Sequence, residues 1–176
     1  SVSFRMVYPI LNRKEDALLI AQISDIHASP ENDHLQRLDQ TLAWLAQLQP
    51  DVLVLSGDLT DDFWLEGYKQ IARRLRQQHY PSLILPGNSD DRRMMREVWG
   101  NSMWADDAPG NALHALYDAG GVRLIGLDST VDAQDYGSVT PHLGWLERQL
   151  TEANGSPTML FMHHPVFAAG IPTLDN

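Results

Sequence analysis

Five residues carry the chemistry this chain can do. Asp25 and His27 close the apolar run 18–27, Asp58 follows the run 52–56 through Gly57, Asn88 follows the run 82–85 through Pro86 and Gly87, and His163 follows the run 158–162. Each is an oxygen or nitrogen donor at the end of an apolar segment. A carboxylate and an imidazole two positions apart on an extended segment project to one side, because side chains alternate with period two. Converging on one point, they form a candidate half-site for a divalent metal. Each residue has a plainer reading. Ser56-Gly57-Asp58 and Gly87-Asn88 are also turn chemistry, and His163 could be a histidine at the edge of a core. That four separate strand ends each carry a metal-competent atom favours the joint reading.

The elements that must position these residues follow from periodicity. Apolar runs predict strands at 17–24, 52–56, 82–85, 113–117, 122–127 and 158–162, with the first covered on both faces. Leu35, Leu38, Leu42, Leu45 and Leu48 recur at helical spacing and predict a helix over about 33–49, stopped by Pro50. Tyr68, Ile71, Ala72 and Leu75 predict a second helix. Met94, Met95 and Val98 predict a short third, capped by Ser89 or Asp90. Thr140-Pro141 opens a fourth, with Thr140 at its N-cap; Leu143, Leu146 and Leu150 form its apolar stripe and Asn154-Gly155 ends it. Alternating strands and helices imply parallel pairing with right-handed crossovers, so the strands' carboxyl ends share one edge, where α/β sheets place ligands. Residues 118–121 read as a hairpin turn. Residues up to Asp16 read as an edge strand or arm, 99–111 as a surface loop, and 166–176 as no complete element.

Bulk properties bound the remaining possibilities. A chain of 176 residues is one domain by size, long enough to bury a core, and its 43% hydrophobic and 20% charged residues are those of a soluble globular protein. No apolar run is long enough for a membrane span, and the first residues show no secretory signal. With no cysteine there are no disulfides or thiolate ligands, which fits a cytoplasmic location. The net charge of −10 argues against binding a nucleic-acid polymer but not against a phosphate substrate, because bound cations reverse the local field.

Asp25-Ile26-His27, Gly57-Asp58, Gly87-Asn88 and His163-His164-Pro165, in this order and at these separations, resemble the calcineurin-like metallophosphoesterases, most closely the bacterial class III cyclic-nucleotide phosphodiesterase branch. The resemblance runs from about Leu18 to the last residue. It implies one α/β domain over 1–176: a two-sheet sandwich flanked by helices (α/β/β/α), incomplete at its C-terminus. It also implies two divalent ions. Asp25 and His27 would hold the first, Asn88 and His163 the second, and Asp58 would bridge them; His164 is the alternative to His163. Hard oxygens with imidazoles suit Fe, Mn or Zn. Two ions about 3.5–4 Å apart suit in-line displacement at phosphorus. The implied function is hydrolysis of a small phosphodiester or nucleotide such as 3',5'-cyclic AMP by a metal-bridging hydroxide.

Two positions depart from the family pattern. Ser89 stands where the family has a histidine that stabilises the transition state and can protonate the leaving oxygen. A hydroxyl is too weak an acid to replace it, so impaired turnover of poor leaving groups is expected. The family's Gly-His-x-His motif, which supplies one further ligand to each metal, does not occur in the sequence, so partial metal occupancy is expected. The alternative function is a metal-poor pseudoenzyme, or an inactive fragment, that binds a phosphorylated ligand without turnover. A flavodoxin-like or Rossmann domain is disfavoured because no Gly-rich loop follows the first strand. His34, His79, His114 and His142 read as structural or surface residues. The clusters Arg73-Arg74-Arg76 and Arg92-Arg93-Arg96 read as solvated helix faces. Trp44, Trp64 and Trp145 read as packing residues, while Trp99 and Trp104 could line a pocket. Partners are a small substrate and, as an open option, further copies of the chain, with no membrane.

Overall fold

The computed structural model describes residues 17–167. The arm assigned to residues up to Asp16 and most of 166–176 lie outside that range. Among the described residues, six strands form two three-stranded sheets. The first sheet contains β1 (Ile20–Ile23), β2 (Val52–Ser56) and β3 (Ser82–Leu85), all parallel in the order β1-β2-β3. The second contains β4 (Ala115–Ala119), β5 (Val122–Gly126) and β6 (Thr158–Phe161), with β4 antiparallel and β6 parallel to β5.

Sequence order and burial agree for the centre of the first sheet. Every residue of β2 is buried, as expected of a strand covered on both faces. β1 differs: it is four residues long, only partly buried, and lies at the edge of its sheet among the described residues, with Gln22 exposed. The two sheets pack face to face. A Cβ on Gly126 of β5 would strike the side chains of Leu83 and Leu85, so glycine is what lets the sheets approach there. Leu83 and Leu85 register with Val54 and Ser56. That face of the first sheet therefore looks at the second, while Leu53, Leu55 and Ile84 turn the other way.

Among the described residues, four α-helices complete the layers: α1 (His34–Leu48), α2 (Leu65–Arg76), α3 (Arg92–Trp99) and α4 (Leu143–Glu152). α1 buries Leu38, Leu42 and Leu45 in the main core, and α2 buries Tyr68, Ile71, Ala72 and Leu75, the stripes expected from spacing. α1 ends at Gln49, whose left-handed backbone (φ 50°) returns its N–H to Leu45 O before Pro50. The hairpin between β4 and β5 turns on Gly120 and Gly121, both at positive φ, as a two-residue turn requires.

Several expectations need correction. The third helix is capped by Asp91, whose carboxylate accepts from the N–H groups of Arg93 and Met94, and not by Ser89 or Asp90. Thr140–His142 form a 3-10 turn that leads into α4 without a side-chain cap. α4 buries Trp145 and Gln149, whereas Leu143 and Leu150 of the expected stripe are 51% and 49% exposed. The indole of Trp145 lies against the ring of His114 at 4.3 Å and donates to Asp107, which favours that face inward. Arg92 is no solvated residue. Its guanidinium donates to the buried carboxylate of Asp128 (2.7 Å) and joins α3 to the loop after β5. Trp44 is half-exposed, and Trp104 is core, donating its indole N–H to Ile84 O. Trp99 packs edge-on against Tyr68.

Candidate metal centre

Asp25 and His27 do not converge by strand alternation. β1 ends at Ile23, and both residues adopt left-handed backbone (φ 57° and 46°), which Asp and His tolerate better than most side chains. Backbone bonds fix this turn to the segment after β2: Asp25 N–H donates to Gly57 O, His27 N–H to Asp58 O and Ala28 N–H to Leu59 O, at 2.9–3.1 Å. Asp58 is itself left-handed (φ 54°) and buried.

The five candidate ligands come from two sheets. Asp25, His27, Asp58 and Asn88 follow strands of the first, and His163 follows β6 of the second, so the shared edge lies across the sandwich rather than along one sheet. Two glycines make the approach possible. A Cβ on Gly57 (φ 102°) would overlap Gly87 and the His163 ring, and one on Gly87 would overlap the Asp58 carboxylate.

Asp58 divides its carboxylate between two clusters. Oδ2 lies 3.3 Å from His27 Nε2, which is 3.7 Å from Asp25 Oδ1. Oδ1 lies 3.5 Å from His163 Nε2, which is 3.2 Å from Asn88 Oδ1. Ligand atoms of Asp25, His27 and Asp58 all fall within 4.8 Å of one another. Both imidazoles are turned by their other nitrogen. His27 Nδ1 is 2.6 Å from Asp61 Oδ1, and His163 Nδ1 is 2.9 Å from Ser56 O. Each neighbour is an acceptor, so Nδ1 carries the proton, and in the neutral ring Nε2 presents a lone pair. Each Nε2 then faces oxygen lone pairs with no hydrogen between them. A cation satisfies that donor set, and carboxylate–histidine orientation of this kind supports metal ligands. Without one, burial lowers the His27 pKa, but the Asp61 bond and the charges of Asp58, Asp61 and Asp25 outweigh it and raise it.

His164 does not join the cluster. Its Nδ1 pairs with Ser129 Oγ at 2.8 Å. Ser89 lies in the site's wall: its N–H donates to Asp58 Oδ1 (2.9 Å) and its hydroxyl to Thr60 O (3.0 Å), so the hydroxyl proton is engaged within the loop.

Two residues escaped the sequence reading. Asp61 orients His27, as above. Asp90 accepts from the N–H groups of Gly87 and Leu59 and from the hydroxyl of Tyr68, at 2.9–3.0 Å. It thereby ties the Asp58 loop to the Asn88 loop. Burial pushes its pKa up to about 6 although those donors oppose the shift. The spacing Asp58-x-x-Asp61 and the acid two places after Asn88 were visible, but each passes for turn chemistry until its partner is known.

Comparison with known proteins accords with this geometry. The calcineurin-like phosphoesterase family model matches residues 18–175. The chain belongs to that family. A glycerophosphodiester phosphodiesterase of Enterobacter lignolyticus is 32% identical over 171 residues, covering 90% of this chain and 60% of the relative. A 3',5'-cyclic-nucleotide phosphodiesterase of Nostoc is 30% identical over 166 residues, covering 89% and 60%. The chain thus spans about 60% of the length of these relatives. A dimetal phosphatase from Danio rerio shares the fold, with a TM-score of 0.66 at 14% identity over 85% of this chain and 70% of that one. Family membership implies divalent metal ions, and the Asp25–His27–Asp58 group is a site chemically fit to hold one. No helix among the described residues is long and apolar enough to cross a membrane.

Proposed function

We propose that this chain is a metallophosphoesterase domain that hydrolyses a small phosphodiester, with 3',5'-cyclic nucleotides and glycerophosphodiesters as the substrate types its relatives' names suggest. The observation that carries this is the division of the Asp58 carboxylate, one oxygen toward each oriented imidazole. Asp25, His27 and Asp58 Oδ2 would hold one ion; Asn88, His163 and Asp58 Oδ1 would hold the other. Fe, Mn or Zn suits these donors. When bound, such a pair supplies a water of lowered pKa and neutralises charge on the phosphoryl oxygens.

The chain's own residues set what surrounds that chemistry. Asp61 and the Ser56 carbonyl hold the two rings in the tautomer that leaves Nε2 free. Asp90 keeps the two ligand loops in register. Ser89 holds Asp58 through its N–H but offers no acidic proton, so the leaving oxygen must draw its proton from solvent or depart as a stable anion. Activated aryl phosphodiesters should therefore turn over far better than alkyl ones.

Hydrolysis of bis(p-nitrophenyl) phosphate with excess Mn²⁺ tests this reading. Metal-dependent turnover that disappears in Asp58→Ala supports it. A chain that turns over nothing at saturating Mn²⁺, or an Asp58→Ala variant as active as the parent, overturns it.

A further inference from the structure

The second of the two metal positions depends on a meeting between sheets. Asn88 follows β3 and His163 follows β6, yet Asn88 Oδ1 and His163 Nε2 stand 3.2 Å apart. Strand pairing does not set that distance, because among the described residues β3 and β6 belong to different sheets. Arg92 joins the segments that lie behind both ligands.

On the Asn88 side the connection is short. Asp90 donates its N–H to Gly87 O at 3.1 Å, which puts Asn88 inside a tight turn. Asp91 then caps α3, and Arg92 is the first residue of that helix. The guanidinium donates from Nε to the buried carboxylate of Asp128 and from its fork to Thr130 O, both at 2.7 Å. Thr130 closes the figure by donating its N–H and its hydroxyl to Asp128 Oδ1. A planar guanidinium with donors in fixed directions holds two acceptors in one geometry, which a flexible ammonium does not.

On the His163 side the same segment grips the next residue. Ser129, between the two partners of Arg92, lies 2.8 Å, Oγ to Nδ1, from His164. The His164 ring is pressed on Gly137, where a Cβ would lie 2.3 Å from its Cγ, and Gly137 bridges back to Thr130. The rings of His164 and His163 meet edge to face, with 5.0 Å between centroids and 88° between planes. The first position is held by other residues. The carbonyl of His27 accepts from Asn32 Nδ2 at 2.8 Å and from His34 Nδ1 at 2.9 Å, and Asp61 orients its ring.

We infer that Arg92 is a positioning residue for the second metal position and not for the first. It fixes Asn88 against His163 by tying α3 to the segment 128–130 that also holds His164. The inference rests on the two-position reading above and gives each position its own support.

The test is titration of the chain with Mn²⁺, bound ion being counted by electron paramagnetic resonance, in backgrounds that keep one position each. Asp25→Ala keeps the second position and Asn88→Ala the first. Arg92→Lys keeps the charge that faces Asp128 but loses the fork. Added to Asp25→Ala, it should weaken Mn²⁺ binding about 10–100-fold, the usual cost of losing a group behind a metal ligand. Added to Asn88→Ala, it should leave Mn²⁺ affinity unchanged. Thr130→Val, which leaves the ion pair in place, should act in the same direction and replaces Arg92→Lys if circular dichroism shows that variant unfolded. Equal losses in both backgrounds, as a general loosening of the fold would give, or no loss in either, overturn the inference and leave the two-position reading standing. A parent chain that binds fewer than two Mn²⁺ ions removes that reading, and this inference with it.

Discussion

The imidazole of His163 stands 3.5 Å, Nε2 to Oδ1, from the carboxylate of Asp58, across the gap between two sheets. Among the described residues the two belong to different sheets, and Gly57 and Gly87 leave the room in which they meet. The opposite oxygen of Asp58 faces His27 in the same way. One buried carboxylate therefore organises both halves of the site, and the surrounding residues act by holding its partners.

Asp61 acts through His27. Replacing its carboxylate by an amide, in Asp61→Asn, removes the anionic acceptor at His27 Nδ1. Mn²⁺ affinity should fall about 10–100-fold, the usual effect of losing a carboxylate behind a ligating histidine. Circular dichroism should be unchanged. Equal Mn²⁺ affinities in parent and variant would remove Asp61 from the account.

On the proposed function, Ser89 should limit turnover when the leaving group is poor. Ser89→His should raise kcat on an alkyl phosphodiester by about 10²–10⁴, the range of general acid catalysis, and affect an aryl phosphodiester much less. Equal gains on both substrates, or none on the alkyl one, would show that Ser89 is not where the proton is lacking.

Asp90 binds two loops together through Gly87, Leu59 and Tyr68. Asp90→Asn puts an NH₂ where donors now converge and should cost about 2–3 kcal/mol in urea unfolding, typical of hydrogen bonds to a charged group. Tyr68→Phe removes one donor and should cost about 1 kcal/mol. A smaller loss for Asp90→Asn than for Tyr68→Phe would contradict the clamp.

Acid should destabilise the second sheet's packing through His114. Burial, aided by the neighbouring His142, lowers the His114 pKa to about 4, and its Nδ1 accepts the Asp128 N–H at 3.0 Å. The unfolded ring titrates near 6.5. Between these values the unfolded chain binds more protons, so this contribution is complete above about pH 6.5 and is lost as pH falls toward 4. At pH 4 the loss approaches about 3 kcal/mol. Asp90, raised to about 6, acts in the opposite direction, so the comparison is between the parent and His114→Gln. The variant should lose less stability between pH 6.5 and 4; parallel curves would refute the assignment.

Much of this was legible in the sequence, for identifiable reasons. The candidate donors at strand ends were visible because Asp25, His27, Asp58, Asn88 and His163 each follow an apolar run. How Asp25 and His27 converge was not, because left-handed backbone at both depends on bonds to Gly57 and Asp58, more than thirty residues away. α4 misled because its sequence carries two apolar faces, and spacing alone cannot show that Trp145, stacked on His114, wins over Leu143 and Leu150. Arg92 read as solvated because its partner Asp128 lies in a different layer. Asp61 and Asp90 were hidden for the same reason: their roles lie in distant partners.

The central claim is that Asp58 is shared between two metal positions. Electron paramagnetic resonance of the chain in saturating Mn²⁺ tests it most directly. Five side chains shared between two ions make a modest site, so the ions should leave on gel filtration and return on titration. The account predicts two bound Mn²⁺ per chain with the spectrum of a spin-coupled pair, and loss of that coupling in Asp58→Asn. Binding of a single uncoupled ion at saturation, or coupling that persists in Asp58→Asn, would contradict it.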